Sequence, residues 1–251
     1  MSGHSKWSSI KHKKAATDAK RGKLFTRYIR EITFAARSGG GDPDMNAGLR
    51  HAIDGAKSVN MPADNIKKAI QRGAGELDGV NYEQFTYEGY GPGGVAVLVE
   101  CLSDNKNRTV GEVRHVFTKY NGNLGENGCV AWMFSKKGMI LIEEGVIEED
   151  DLMELVLENG AEDMKNEDGN FIVTAAVEDY DKVVQAVREK EIPTISAEIA
   201  MVPSTYIKLQ GKQAQSMMKM SEKLEELDDV QDVWSNFDIS DEEIEEYEKG
   251  A

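Results

Sequence analysis

The 251-residue sequence predicts an α+β protein, with an N-terminal three-helix domain followed by two α+β sheet domains, one inserted into the other. Apolar residues recur at helical spacing between Asp18 and Gly73, and the period changes to that of strands after Gly79. Residues 138–203 then read as a complete β-α-β-β-α-β unit. The expected boundaries are 1–78 for a basic arm and helical domain, and 79–137 with 204–239 for a discontinuous α+β domain. Residues 138–203 form the inserted domain, and 240–251 an acidic C-terminal helix or tail.

In the first helix Phe25, Tyr28, Ile29, Ile32 and Ala36 fall on one face, with Arg21, Arg27, Arg30 and Arg37 largely off it. Gly39, Gly40 and Gly41 end it. A second helix is expected from near Pro43, burying Leu49, Ala52, Ile53 and Ala56. Pro62 is placed at the first position of a third, which carries Ile66, Ala69 and Ile70 and closes at Gly73.

Beyond Gly79, FTYEGY and GVAVLVECL flank GPGG as two antiparallel strands around a turn. GYGPGG is not read as a phosphate-binding loop, because a strand rather than a helix follows it. Thr109 and Glu112 suggest a capping box for a helix with Val110, Val113, Phe117 and Tyr120, within which His115 reads as a hydrogen-bonded structural histidine. Glycines at 122, 125 and 128 break up a loop before an expected strand, CVAWMF.

The unit at 138–203 starts with the strand GMILIEE and a helix from Asp150 to Asn159. AEDMKNE and NFIVTAA follow as a hairpin through Asp168 and Gly169. A helix marked by Tyr180, Val183, Val184 and Val187 and a strand ending at Pro203 complete a ferredoxin-like order. A strand at Tyr206–Leu209, a helix carrying Ala214, Met217, Met218, Ser221, Leu224 and Leu227, and a strand VQDVWSNFDI are expected to complete the discontinuous domain. Met217, Met218 and Met220 read as core fillers. Ser240 and Glu243 suggest a capping box for a short, exposed terminal helix.

Charge is distributed unevenly. Fifteen basic and six acidic residues precede Gly75, whereas 15 and 39 follow it, within a net charge of −15. From Ser2 to Arg37 there are ten Lys or Arg against Asp18 and Glu31 alone. Lys6, Lys11, Lys13, Lys14, Lys20, Arg21, Lys23 and Arg27, with Trp7 and His12 among them, are the candidate nucleic-acid-binding residues. Each cation that meets a phosphate releases a condensed counterion, and a flat ring stacks on an unpaired base. The bland alternative is a strap lying on the protein's own acidic body. Residues 2–16 hold few large apolar side chains, so they are expected to order only on an anionic partner.

No catalytic residues, metal site or cofactor are read from the sequence, and an enzyme is not expected. His4, His12, His51 and His115 lack metal-ligand spacing, Cys101 and Cys129 form no CxxC pair, and neither a GxSxG elbow nor a GxxxxGK[ST] loop occurs. The cysteine usage suits a reducing compartment. With no signal-peptide core and no apolar run of the ~20 residues that cross a bilayer, a soluble cytoplasmic protein is expected. No membrane partner or small-molecule substrate is evident.

GHSKW, IKHKKAATDAKRGKLF, GGGDPD, YEGYGPGG, ECLSDNKNRTV, EVRHVF, GNLG, FSKKG, VPST and DDVQDVWSN occur in this order. Together they resemble the YebC family, whose mitochondrial relative is the translational activator of cytochrome c oxidase subunit one. The resemblance spans Ser2 to about Glu243. It implies a three-domain α+β architecture with a cleft, and a bacterial cytoplasmic protein usually described as a DNA-binding transcriptional regulator. It also points to the ribosome and to translation of difficult stretches such as consecutive prolines.

Between these, a basic arm with Trp7 and His12 favours RNA or ribosome binding over groove readout of DNA. The DNA alternative uses the second and third helices as a helix-turn-helix pair presenting Lys67, Lys68 and Arg72. A protein partner for the acidic domains is a further expectation. At FSKKG, Lys136 and Lys137 read first as solubilising a strand end and second as another contact.

Overall fold

The structure, a computed structural model, describes residues 18–250 other than Asp168. Among the described residues it divides into two compact units. One holds those of Lys14–Val130 and Gln210–Val233, the other those of Ala131–Leu209 and Trp234–Ala251.

The first unit opens with α1 (Asp18–Gly39), α2 (Ala47–Ser58) and α3 (Ala63–Gly73). Ile32, Ala36, Leu49, Ala52, Ala56, Ile66 and Ala69 form their shared core. α2 and α3 each pack on α1. At the crossing of α1 and α3, a Cβ on Gly73 would lie 2.4 Å from the Thr33 carbonyl oxygen, so only glycine allows this approach. α2 starts later than its Pro43 suggests. Asn46 caps it by accepting from Leu49 N (3.0 Å), while its Nδ2 donates to Ala35 O (2.8 Å) and Gly40 O (2.9 Å) and ties the helix to the end of α1. Pro62 stands one position before α3 rather than inside it.

The same unit contains a sheet in the order β3-β1-β2-β9, from β1 (Glu83–Tyr90), β2 (Ala96–Ser103), β3 (Asn123–Leu124) and β9 (Val230–Ser235). β1 and β2 pair antiparallel from Glu83↔Ser103 to Tyr90↔Ala96. Their turn takes Gly93 to φ 72° and Gly94 to φ 80°, a region that side chains disfavour. Helices α4 (Lys106–Lys119) and α7 (Gly211–Glu225) accompany this sheet. On α7, Met217, Met218 and Met220 are fully buried. α4 begins before the expected capping box: Asn105 accepts from Arg108 N (3.1 Å), and Thr109 is buried inside the helix. His115 is exposed on α4 and is not the structural histidine suggested by its helical setting.

The second unit contains the β-α-β-β-α-β order: β4 (Phe134–Glu143), α5 (Glu149–Glu158), β5 (Ala161–Glu167), β6 (Asn170–Ala175), α6 (Val177–Glu189) and β7 (Ser196–Pro203). The sheet runs β5-β6-β4-β7, all antiparallel. Ile140, Ile142, Phe171 and Val173 meet Leu152, Val156, Tyr180 and Val183 of the two helices in one core.

Three expectations fail here. CVAWMF is not one strand, since Ala131–Met133 is a 3-10 turn and β4 starts only at Phe134. The cause is a buried side chain: Glu88 accepts from Gly128 N (2.6 Å) and Val130 N (2.8 Å), taking backbone donors that a ladder would use. VQDVWSNFDI breaks at Asn236 into β9 and β10 (Phe237–Asp238). β10 pairs in parallel with β8 (Ile207–Lys208) as a separate two-stranded sheet, not with the first unit's sheet. Finally, the terminal helix α8 (Asp241–Gly250) is not simply exposed, because Ile244 and Tyr247 are buried.

Candidate nucleic-acid interface

Of the candidate residues, Lys6, Trp7, Lys11, His12, Lys13 and Lys14 lie outside the described residues, as does the expected disorder-to-order behaviour of 2–16. Lys20 and Arg21 belong to the first turn of α1. Lys23 and Arg27 are the two whose side chains are placed, and both are turned inward.

Lys23, Arg27 and Arg30 follow at i, i+4 and i+7, so they form one stripe opposite the apolar stripe of α1. That stripe meets the segment leading into β9. Lys23 Nζ donates to Glu226 O. Arg27 Nη2 donates to both oxygens of Asp232 (2.7 and 2.8 Å). Arg30 Nη1 donates to Asp228 O (2.6 Å) and Asp229 Oδ1 (2.8 Å). For these three cations the strap on the protein's own carboxylates and carbonyls is what forms. Arg27 and Lys23 thus both have partners within the first unit.

Asp229 is the centre of this junction. Its carboxylate, 1% exposed, also accepts from Arg108 Nη2 (2.7 Å), Ser103 Oγ (2.9 Å) and Thr109 Oγ1 (2.8 Å). Burial pushes its pKa up, but the bonds from Arg108, Thr109 and Ser103 outweigh that and hold it below the ordinary carboxylate range. Burial opposes the charge on Arg27, which Asp232 more than restores, so its pKa rises. Burial lowers the pKa of Lys23.

Glu31 behaves in the opposite way to Asp229. Burial, with Asp232 and Glu100 adding to it against the pull of Arg27, pushes its pKa from 4.5 up to about 7. Between those values the folded state holds the proton more tightly than the unfolded chain does, so this group lowers stability as pH rises from 4.5 to 7. Glu31→Gln is expected to be more stable than the parent at pH 8 by about 1–3 kcal/mol and to converge with it at pH 5. Urea denaturation at the two pH values measures this; a variant that tracks the parent at both contradicts it.

Other cations of the helical segment are accessible. Lys67, Lys68 and Arg72 are exposed on α3, and the 65%-exposed Lys57 on α2 lies 3.8 Å from Asp54. In the second unit Lys137 is paired with Glu162 (2.7 Å), while Lys136 is exposed. The thiols offer little chemistry: burial pushes Cys101 up to about 12 and raises Cys129. Among the described residues, no group of three or more His, Cys, Asp or Glu is placed to hold a metal ion, and no helix is long and apolar enough to cross a membrane.

The TACO1/YebC N-terminal domain model matches residues 5–76, and the model of the TACO1/YebC second and third domains matches residues 82–237. The chain belongs to the TACO1/YebC family. Relatives span it nearly end to end. A protein of Desulfosudis oleivorans named a probable transcriptional regulatory protein is 58% identical over 96% of this chain and 98% of its own. One of Koribacter versatilis with the same description is 57% identical over 98% and 99%. A crystal structure of a conserved hypothetical protein from Aquifex aeolicus superposes with a TM-score of 0.83 at 46% identity, covering 92% of this chain and 96% of that one. In TACO1/YebC terms, α1–α3 lie within the N-terminal match, and the second match runs from just before β1 into β10.

Sequence reasoning missed Asp229 and Asp232 as the anchors of α1. They lie about two hundred positions from Arg30 and Arg27, and no local motif marks them.

Proposed function

We propose that the protein is a nucleic-acid-binding regulator of bacterial gene expression that grips RNA or the ribosome through its N-terminal basic segment and acts in translation. The charge distribution supports this most: 15 basic and six acidic residues before Gly75, against 15 and 39 after it. A polyphosphate needs cations not already committed elsewhere. Lys23, Arg27 and Arg30 are committed to the first unit itself, so the contact falls to Lys6, Lys11, Lys13, Lys14, Lys20 and Arg21, with Trp7 and His12 stacking on bases. The acidic remainder is repelled by the same polyanion, which leaves it to meet a protein partner in the cytoplasm.

A second reading, a DNA-binding transcriptional regulator, is favoured by the names of the relatives. Lys67, Lys68 and Arg72 are the residues it would use. A helix-turn-helix pair, however, lays one helix across its partner to set it in the major groove, whereas α2 and α3 pack mainly on α1.

Replacing Lys11, Lys13 and Lys14 together with Ala should weaken RNA binding and shrink the salt slope of log K by about 0.7 for each phosphate no longer neutralised on a single strand, or about 0.9 on a duplex. An unchanged slope removes the arm from the interface. Binding to ribosomal RNA, single-stranded RNA and duplex DNA at one salt concentration separates the two readings. A strong preference for one duplex sequence would favour DNA, and no binding to any of them would leave a protein-only adaptor.

A further inference from the structure

Ala63, Ile66, Lys67, Ile70 and Gln71 fall at i, i+3, i+4, i+7 and i+8 along α3, which puts them on one flank of the helix. With Lys57 from the last turn of α2 and Glu76 from beyond α3, they line a groove of about 380 Å³. Its exposed lining is almost wholly apolar. The backbone around it is held at both ends. Asn60 N donates to Lys57 O (2.9 Å) and Met61 N to Ala56 O (3.0 Å), which fix the link from α2 into α3, and Glu76 N donates to Gln71 O (2.9 Å) past the other end. Ile70 is backed by Gly41, where a Cβ would come within 3.3 Å of its Cγ2. The charge along this flank is positive: from Lys57 to Arg72 the sequence holds four Lys or Arg and one acid, Asp64. Lys67 is exposed and has no ion-pair partner among the described residues, while Lys57 reaches Asp54 only at 3.8 Å. Glu76 is the one acid in the lining.

We propose that this groove docks an acidic segment of a partner protein, which seats aliphatic side chains against Ile66 and Ile70 and sets its carboxylates on Lys57 and Lys67. An amphipathic helix with leucines one turn apart matches the ~6 Å rise between Ile66 and Ile70. The chain's own segments fit poorly. Residues 1–17 carry Lys6, Lys11, Lys13 and Lys14 and no acid, so the cations of the groove repel them. The acidic helix α8 already buries its own Ile244 and Tyr247. Nucleic acid is the poorer ligand here, because an unpaired base is held by stacking and the lining supplies no aromatic ring. The proposal goes beyond the nucleic-acid reading above and does not rest on it.

The test uses the full-length chain and two short fluorescein-labelled peptides of Glu and Ala, one with two Leu at i and i+4, the other with Ser in their place. The Leu peptide is expected to bind about tenfold more tightly, the gain from burying part of two aliphatic side chains. Ala63→Gln fills the groove from an exposed position, so it should bring the Leu peptide down to the affinity of the Ser peptide without moving the melting temperature. Lys57→Ala combined with Lys67→Ala should weaken both peptides about threefold and flatten their salt dependence. Equal affinity for the two peptides, or a Leu preference that survives Ala63→Gln, would overturn the proposal. Oligouridylate that displaces the Leu peptide and is itself blocked by Ala63→Gln would overturn it in favour of a nucleic-acid contact.

Discussion

Asp229→Ala is expected to destabilise the first unit by about 3 kcal/mol, the lower end of what removing one partner of a buried ion pair costs. The deletion leaves Arg30 and the hydroxyls of Ser103 and Thr109, both buried, without their shared acceptor. Arg108 retains Asp104 (2.9 Å) and solvent, which moderates the loss. A drop of this size lowers the melting temperature by about 10 °C. It also has a pH signature. A carboxylate held below its ordinary range contributes stability that is present above the unfolded pKa of about 3.9 and is lost as pH falls through the folded value. The gap between parent and variant should therefore close on acidification, while the Glu31→Gln gap closes between pH 8 and pH 5. A loss under about 1 kcal/mol at pH 7 would mean that the network is a set of solvated surface pairs.

Phe171→Ala should cost about 3–5 kcal/mol in the second unit. The ring is 2% exposed on β6, with Ile142 opposite it on β4, inside the cluster formed with Leu152, Val156, Tyr180 and Val183. A cavity at that position cannot be filled by solvent, because its lining offers water no partners. Hydrogen exchange should show lost protection across β4, β5, β6 and β7, with the α1–α3 core unaffected. Equal loss in both units would show that they unfold as one.

Elements whose residues make mostly local decisions were legible in the sequence. The stripes of α1, α2 and α3 and the alternation along β4 and β6 are periodic, and the β-α-β-β-α-β order follows from counting them. Several of the departures share one physical origin, a side chain satisfied by a distant partner. Thr109 looks like a cap until Asp229 is brought to it across 120 positions. CVAWMF looks like a strand until the Glu88 carboxylate takes the amides of Gly128 and Val130. Arg27 looks like a phosphate ligand until Asp232 arrives 205 positions later. Charge runs report how much cation is present, not which cations the fold has already neutralised.

The most direct test of nucleic-acid binding through the N-terminal segment is ultraviolet crosslinking in living cells, followed by mass spectrometry of the nucleotide-bearing peptides. RNA adducts on peptides spanning Lys6 to Arg21 are the expected result. Adducts confined to DNA, or RNA adducts that never fall within that span, would contradict it.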